Sequence, residues 1–268
     1  MICFPNAKIN LGLHVTEKRP DGYHNIETVF YPVPIKDALE IVEAHEFSFS
    51  QTGIPIDGPA GNNLVMKALD RMKSCFTIPP MEVHLLKAIP LGAGLGGGSS
   101  DAAFMLKLVN DHCALCLSLD ELEDLASSIG ADCPFFIRNK PVFASGTGNE
   151  FTSVGLSLQG YFLCLVKPDL AVSTAEAYSL IKPAFPERSL KEIISLPILE
   201  WQEFLVNDFE KSVFPRYPEI AQIKEMLYAS GAVYAAMSGS GSSVFGLFEK
   251  RVSLEKHFPG CFVWEGEL

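Results

Sequence analysis

The chain has 268 residues, 48% of them hydrophobic, and a formal net charge of −11. That length suits one large domain or two modest ones with a sizeable core, and the acidic balance excludes a nucleic-acid backbone or an anionic membrane as partner. No run of 18 apolar residues is present, and the start, Met1-Ile2-Cys3-Phe4-Pro5-Asn6-Ala7-Lys8, lacks the basic and apolar regions of a signal peptide.

In chain order, residues 9–15, 27–35 and 38–43 read as strands, with another at 46–50. Residues 63–75 carry Leu64, Val65, Ala68, Leu69 and Met72 at helical spacing, capped by Asn62 or Asn63. Residues 82–89 alternate as a strand, and 99–109 form a helix for which Ser99 or Ser100 suits the N-cap. Residues 120–128 predict another helix, with Asp120-x-x-Glu123 resembling a capping box. A small, polar stretch over 151–159 places a domain boundary near residue 155, dividing the chain into 1–155 and 156–268. Beyond it, 161–166 is an apolar run typical of a buried strand, and 174–181 is helical and closed by Pro183. Residues 220–229 are helical and closed by Gly231. Strands at 234–237 and 244–248 flank Ser238-Gly239-Ser240-Gly241-Ser242-Ser243, and 254–258 and 261–264 finish as helix and strand. These elements alone support a mixed α/β or α+β fold.

Seven cysteines are scattered along the chain. His112-Cys113-x-x-Cys116 offers half of a zinc site without a second pair, so reduced thiols in a reducing cytoplasm are expected.

The most informative stretch is Pro90-Leu91-Gly92-Ala93-Gly94-Leu95-Gly96-Gly97-Gly98-Ser99-Ser100, with five glycines in seven positions feeding a helix. Such a loop presents backbone N–H groups and a positive helix end, which together hold a phosphate. It is not a Walker A loop, because Gly98 is followed by Ser99-Ser100 and the nearest downstream lysine is Lys107. Gly92-x-Gly94-x-x-Gly97 matches the dinucleotide fingerprint, but a second helical pattern from Leu119 stands where the next strand should be. Neither HRD nor DFG occurs, which excludes a protein-kinase loop. A flexible linker is the alternative, although linkers do not lead directly into a helix.

Three further segments carry chemistry-bearing residues. Lys8 and Asn10 share a strand face, which an exposed polar edge explains equally well. Gly130-Ala131-Asp132-Cys133-Pro134-Phe135-Phe136 sets one acid in small, apolar surroundings at a turn, which a helix-terminating aspartate explains equally well. Asp21-Gly22-Tyr23-His24 reads as a turn leading to an aromatic ring and an imidazole, or as an ordinary hairpin turn.

Taken in order, Pro-x-Ala-Lys-x-Asn, the glycine loop, Gly-Ala-Asp-x-Pro-Phe-Phe and the late Ser-Gly-Ser-Gly-Ser resemble the GHMP kinases, a superfamily named for its galactose, homoserine, mevalonate and phosphomevalonate members. The Asp21-Gly22-Tyr23-His24 turn sharpens the match to members that act on a cytidine diphosphate polyol. The resemblance runs from Pro5 to about Phe248; the late loop is a serine-rich version of a variable motif. It implies a two-domain α/β (α+β) GHMP fold, with an N-terminal ribosomal-protein-S5-like domain and a C-terminal ferredoxin-like domain. It implies ATP and Mg²⁺ as cofactors, a small-molecule substrate, no nucleic-acid or membrane partner, and a monomer or weak homodimer. Asp132 is then the base and Lys8 its cationic companion, with Asn10 orienting the accepting hydroxyl. Pro90, Gly92, Gly94, Gly96, Gly97, Gly98, Ser99 and Ser100 hold the ATP phosphates, and Asn63 faces the ribose and adenine. Tyr23 and His24 lie on one side of the cytosine and Tyr178 on the other, with Thr174 nearby; a tyrosine packed into the core remains the alternative for Tyr178. No metal ligand is identified by motif, so Mg²⁺ is expected to be held mainly by phosphates and water.

Overall fold

The computed structural model describes residues 1–56 and 58–268. In chain order the first elements are β1 (Ile2–Cys3), β2 (Asn6–Lys18), β3 (His24–Lys36), β4 (Ala38–Glu43), β5 (Ser48–Gly53), α1 (Leu64–Cys75), β6 (Met81–Lys87), α2 (Gly97–His112), α3 (Leu119–Ser127) and α4 (Phe135–Arg138). There follow β7 (Val142–Ser145), β8 (Glu150–Ser153), β9 (Phe162–Lys167), α5 (Thr174–Tyr178), α6 (Leu190–Ile193), α7 (Trp201–Phe204), α8 (Glu210–Val213), α9 (Pro218–Ala229), β10 (Tyr234–Met237), β11 (Val244–Phe248) and β12 (Phe262–Glu267). The predicted strand at 46–50 is shifted toward the C-terminus, and the segment at 254–258 is a single 3₁₀ turn, Glu255–His257.

Two compact units form, and they are interleaved along the chain. The first comprises Met1–Ala7, Ile35–Leu91 and Gly96–Lys140; the second comprises Lys8–Pro34, Gly92–Leu95 and Pro141–Leu268. Residue 155, where the composition shifts, lies inside the second unit.

In the first unit a four-stranded sheet runs in the order β1-β4-β6-β5, with β5 parallel to β6 and the other pairs antiparallel. β6 alternates, burying Met81, Val83, Leu85 and Lys87 and leaving Glu82 and Leu86 exposed. α1 and α2 belong to the same unit; α1 turns Val65, Ala68, Leu69 and Met72 inward, the period read from the sequence. Asn63 caps α1, its Oδ1 accepting from the Val65 amide at 2.9 Å. α3 begins one residue earlier than expected, and its capping box is Ser118 with Glu121. Asp120 and Glu123 instead receive the Arg138 guanidinium, Glu123 at 2.7 Å. Ser118, two residues before Asp120, finds Glu121 at N3 and completes a reciprocal capping box, which starts the helix at Leu119.

The second unit has two sheets, β2-β3-β7-β8 and β10-β11-β9-β12. β2 is buried on both faces from Asn6 to Thr16. Its Leu13 amide donates to Val206 O at 2.9 Å, and its Leu13 carbonyl accepts from the Asp208 amide at 2.8 Å. The Asp208 carboxylate also accepts from the Val15 amide at 3.0 Å and from Lys211 Nζ at 2.7 Å, and faces His14 Nδ1 at 3.5 Å. Burial pushes this carboxyl up, but the donors from His14, Lys211 and Val15 outweigh it and hold it down at about 2. A carboxylate lowered on folding contributes stability above its unfolded value near 4, and loses it as pH falls through the folded value near 2; the contribution is about 2 kcal/mol. Asp208→Asn is therefore expected to destabilise the protein by about that amount at pH 7 and by visibly less at pH 3, read from urea unfolding at both values.

Candidate functional site

The glycine loop leads into α2, and its helix start differs from the serine cap predicted. The N-cap is Gly96, left-handed at φ 68°, with no side-chain capping bond. Helix geometry leaves the amides of Gly97, Gly98 and Ser99 without an i−4 acceptor, at the positive end of a 16-residue helix. A side-chain cap would have filled the anion's place, so its absence is what a phosphate site requires. Ser100 is 0% exposed inside the helix, and its hydroxyl has no hydrogen-bond partner. The Ser100 amide, expected among those that hold the phosphates, instead donates to Gly96 O at 2.9 Å and is not free for an anion. Gly97 and Pro90 are buried as well, whereas Gly98 and Ser99 are half-buried.

Beneath the first turn of α2 lies an ion cluster that the sequence reading missed. Lys87 Nζ donates to Asp37 and, at 2.9 Å, to Asp101 Oδ2. A Cβ at Gly97 would come within 2.9 Å of that ammonium, so only glycine lets the turn approach it. The signal was present in β6, where Lys87 takes the buried place two residues after Leu85.

Asp132 is half-buried in the turn that runs into α4. Beside it the Cys133 thiol is pushed up to about 11, first by burial and further by the Asp132 charge, against a hydrogen bond from Ser99. The thiol stays protonated at neutral pH.

In the second unit, Lys8 and Asn10 are 4% and 2% exposed, which overturns the exposed-edge alternative. Lys8 Nζ donates to Asn10 Oδ1 at 2.6 Å and lies 4.7 Å from the centre of the Phe30 ring. Asn10 Nδ2 donates to Thr28 Oγ1 at 3.0 Å, so the lysine and the amide are held in one geometry. The Lys8 amide donates to Leu95 O at 2.9 Å, and the Asn10 amide to Ser238 Oγ at 3.2 Å. Ser238 Oγ in turn donates to Gly94 O at 2.8 Å, and Asn207 Nδ2 holds the carbonyls of Met237 and Gly239, each at 2.8 Å. Residues 92–95, the late serine–glycine loop and the start of β2 thus form one hydrogen-bonded assembly. Thr28 and Asn207, buried polar residues far apart in sequence, are the members the sequence did not point to.

The turn at Asp21-Gly22-Tyr23 links β2 to β3, with Asp21 Oδ1 accepting from the Tyr23 amide at 3.0 Å. Tyr23 is 67% exposed. His24 and Tyr178 stack directly, their centroids 4.6 Å apart and their planes 20° from parallel, and Tyr178 meets Phe209 edge-on at 4.7 Å. Two rings in contact leave no slot for a base between them, which corrects the expected sandwich of His24 and Tyr178; the core alternative describes much of what Tyr178 does. Burial lowers the affinity of His24 for a proton, with Lys18 adding to it, and raises the Tyr178 hydroxyl. Both rings are therefore neutral at pH 7. Thr174 is exposed as the first residue of α5, which Ser173 and Glu176 cap.

Among the described residues no group of three His, Cys, Asp or Glu side chains is placed to hold a metal ion, and Cys113 and Cys116 are free thiols. No helix among them is long and apolar enough to cross a membrane.

The chain is similar to known proteins in sequence and fold. Residues 63–140 match the GHMP kinases N terminal domain, and residues 184–256 match the GHMP kinases C terminal domain. The chain is 68% identical to the 4-diphosphocytidyl-2-C-methyl-D-erythritol kinase of Parabacteroides distasonis over the whole of both chains, and 60% identical to that of Bacteroides thetaiotaomicron over the same extent. Its fold is similar to a crystal structure of 4-(cytidine 5'-diphospho)-2C-methyl-D-erythritol kinase, with a TM-score of 0.83, 29% identity, and coverage of 99% of this chain and 98% of that one. A homoserine kinase from Listeria monocytogenes, described as putative, shares the fold at a TM-score of 0.65 and 19% identity, covering 99% of this chain and 95% of its own. With two-domain α/β architecture, an uncapped helix behind a glycine loop, and these matches over its full length, the chain belongs to the GHMP kinase family.

Proposed function

We propose that this chain transfers the γ-phosphoryl group of ATP to the 2-hydroxyl of 4-diphosphocytidyl-2-C-methyl-D-erythritol, a step in the non-mevalonate route to isoprenoid precursors. The observation that carries the reading is 68% identity, over the whole of both chains, to a relative named for that activity. The loop geometry supports the ATP half of the reaction, since free amides at a helix start suit polyphosphate oxygens.

Phosphoryl transfer leaves little covalent work to the protein; positioning and electrostatics dominate. Asp132 accepts the proton of the attacking hydroxyl. Lys8 offsets charge on the transferring phosphoryl, and Asn10 fixes the ammonium through its Oδ1. The amides of Gly92 to Ser99 hold the phosphates, and the segment around Asn63, whose side chain caps α1, serves the ribose and adenine. Tyr23, His24, Thr174 and Tyr178 receive the cytidine, with the exposed Tyr23 ring as the stacking face in the arrangement described. Mg²⁺, when bound with ATP, would neutralise phosphate charge, and its reluctance to dehydrate supports a hold mainly through phosphates and water. A cytoplasmic location fits seven free cysteines.

Incubation with ATP, Mg²⁺ and the cytidine diphosphate polyol is expected to yield ADP and a new phosphomonoester, seen by ³¹P NMR. Turnover of homoserine or mevalonate in its place would sink the substrate assignment, and no ATP turnover with any of the three would sink the kinase reading.

A further inference from the structure

We propose that the buried Asp37–Lys87–Asp101 cluster is a positioning device for the phosphate loop, tying its entry to its exit and setting the charge beneath its anion-holding turn. This rests on the ATP-dependent reading above.

The tie is made of short, fully desolvated contacts. Asp37 Oδ1 accepts from the amides of Ala88 and Ile89 at 2.6 and 2.7 Å, the two residues that precede Pro90. Its other oxygen accepts from Lys87, whose ammonium reaches across to Asp101 in the second turn of α2. The three side chains are 0%, 0% and 2% exposed. One ammonium therefore pins the last residues of β6 and the beginning of α2, and the loop between them is left with few degrees of freedom. Preorganised amides bind an anion without first being ordered, which is where such a tie acts on affinity.

The charge follows from the same contacts. Two carboxylates and one ammonium sum to −1, directly under a turn that receives phosphates. Asp101 Oδ1 is buried without a partner, an arrangement that favours the neutral acid. Burial pushes Asp101 up to about 7; Lys87 opposes this and Asp37 adds to it. The other titratable groups in its surroundings are Cys3 on β1 and Lys107 further along α2. Burial pushes the Cys3 thiol up to about 12, so it contributes no charge, and burial lowers Lys107. With Asp101 protonated the cluster is neutral. With Asp101 ionised, as pH rises through about 7, the cluster carries −1 and repels the phosphates.

The test is the KM for ATP between about pH 6 and pH 8.5 in the unaltered protein and in Asp101→Asn, which keeps an acceptor for Lys87 but has nothing to ionise. The terminal phosphate of ATP titrates identically in both, so the ratio of the two KM values isolates Asp101. That ratio is expected to grow roughly tenfold across the range, the effect of one unit charge acting on the phosphates through a medium of effective dielectric about 20. The kcat and the KM for the polyol should keep the same ratio at every pH. Lys87→Met is expected to raise the KM for ATP at all pH values with less effect on the polyol KM. A flat ratio in Asp101→Asn, or a fall in melting temperature with all kinetic parameters moving together, would overturn the proposal. Absence of ATP turnover in the unaltered protein would instead mark failure of the parent reading, and the proposal would fall with it.

Discussion

Replacing Asp132 by Asn is expected to lower kcat by about 10²- to 10⁴-fold, or some 3–5 kcal/mol of barrier, while the KM for ATP changes little. The amide has nearly the shape of the carboxylate but cannot accept a proton, so what is lost is the transfer from the attacking hydroxyl. The local setting isolates that effect. Asp132 is half-buried in a turn followed by Pro134 and by the three buried residues Phe135, Phe136 and Ile137, which anchor the backbone after it. The neighbouring Cys133, kept protonated by burial, is no substitute base. Single-turnover measurements with saturating ATP separate the chemical step from product release. Near-normal rates in that experiment would remove Asp132 from the mechanism.

Gly94→Ala is expected to damage both the glycine loop and its packing partner, because the added Cβ comes nearer to another segment's backbone than at any other glycine among the described residues. Gly94 has φ +73°, where alanine costs about 1–2 kcal/mol. The added Cβ would also lie 1.9 Å from Ser238 O and 2.8 Å from Ser238 C. Both atoms are backbone, in a loop anchored by Asn207 and by Asn10, so neither can swing aside as a side chain would. The two loops must separate, breaking the Ser238–Gly94 bond and displacing the amides proposed to hold phosphate. A rise in the KM for ATP of about tenfold or more is expected, with a lower melting temperature. Gly92→Ala is the control: φ is +57°, but a Cβ there meets nothing within 4 Å, so only the backbone strain applies. Equal effects in the two variants would show that loop-to-loop packing at Gly94 is unimportant.

Much of this was legible in the linear chain, for reasons that are local. Strands β4, β10 and β11 fall where alternation or apolar runs place them, because a period of two requires no distant partner to be recognised. The helix α1 and its cap at Asn63 follow from spacing and from one side-chain oxygen. The glycine loop was legible as a turn into a helix, since five glycines directly before it allow backbone that side chains would obstruct. Where local reasoning went astray, two local signals competed. Ser118 and Asp120 both suit an N-cap, and the helix took the serine, leaving Asp120 and Glu123 to Arg138.

What the sequence determined by itself is therefore a set of motifs: a glycine-rich loop before a helix, a lysine with an asparagine two residues on, an aspartate at a turn, and the family these resemble in that order. The tertiary structure decided which of those residues are accessible and what holds them. It buried Ser100, closed His24 onto Tyr178, and brought Thr28, Asn207 and Ser238 to the service of Lys8, Asn10 and Gly94. It also set Lys87 between Asp37 and Asp101, partners 50 and 14 residues away. Side-chain type and spacing govern what a segment can do chemically, but desolvation and hydrogen bonding between distant segments arise only when the chain has folded, and no local pattern encodes them.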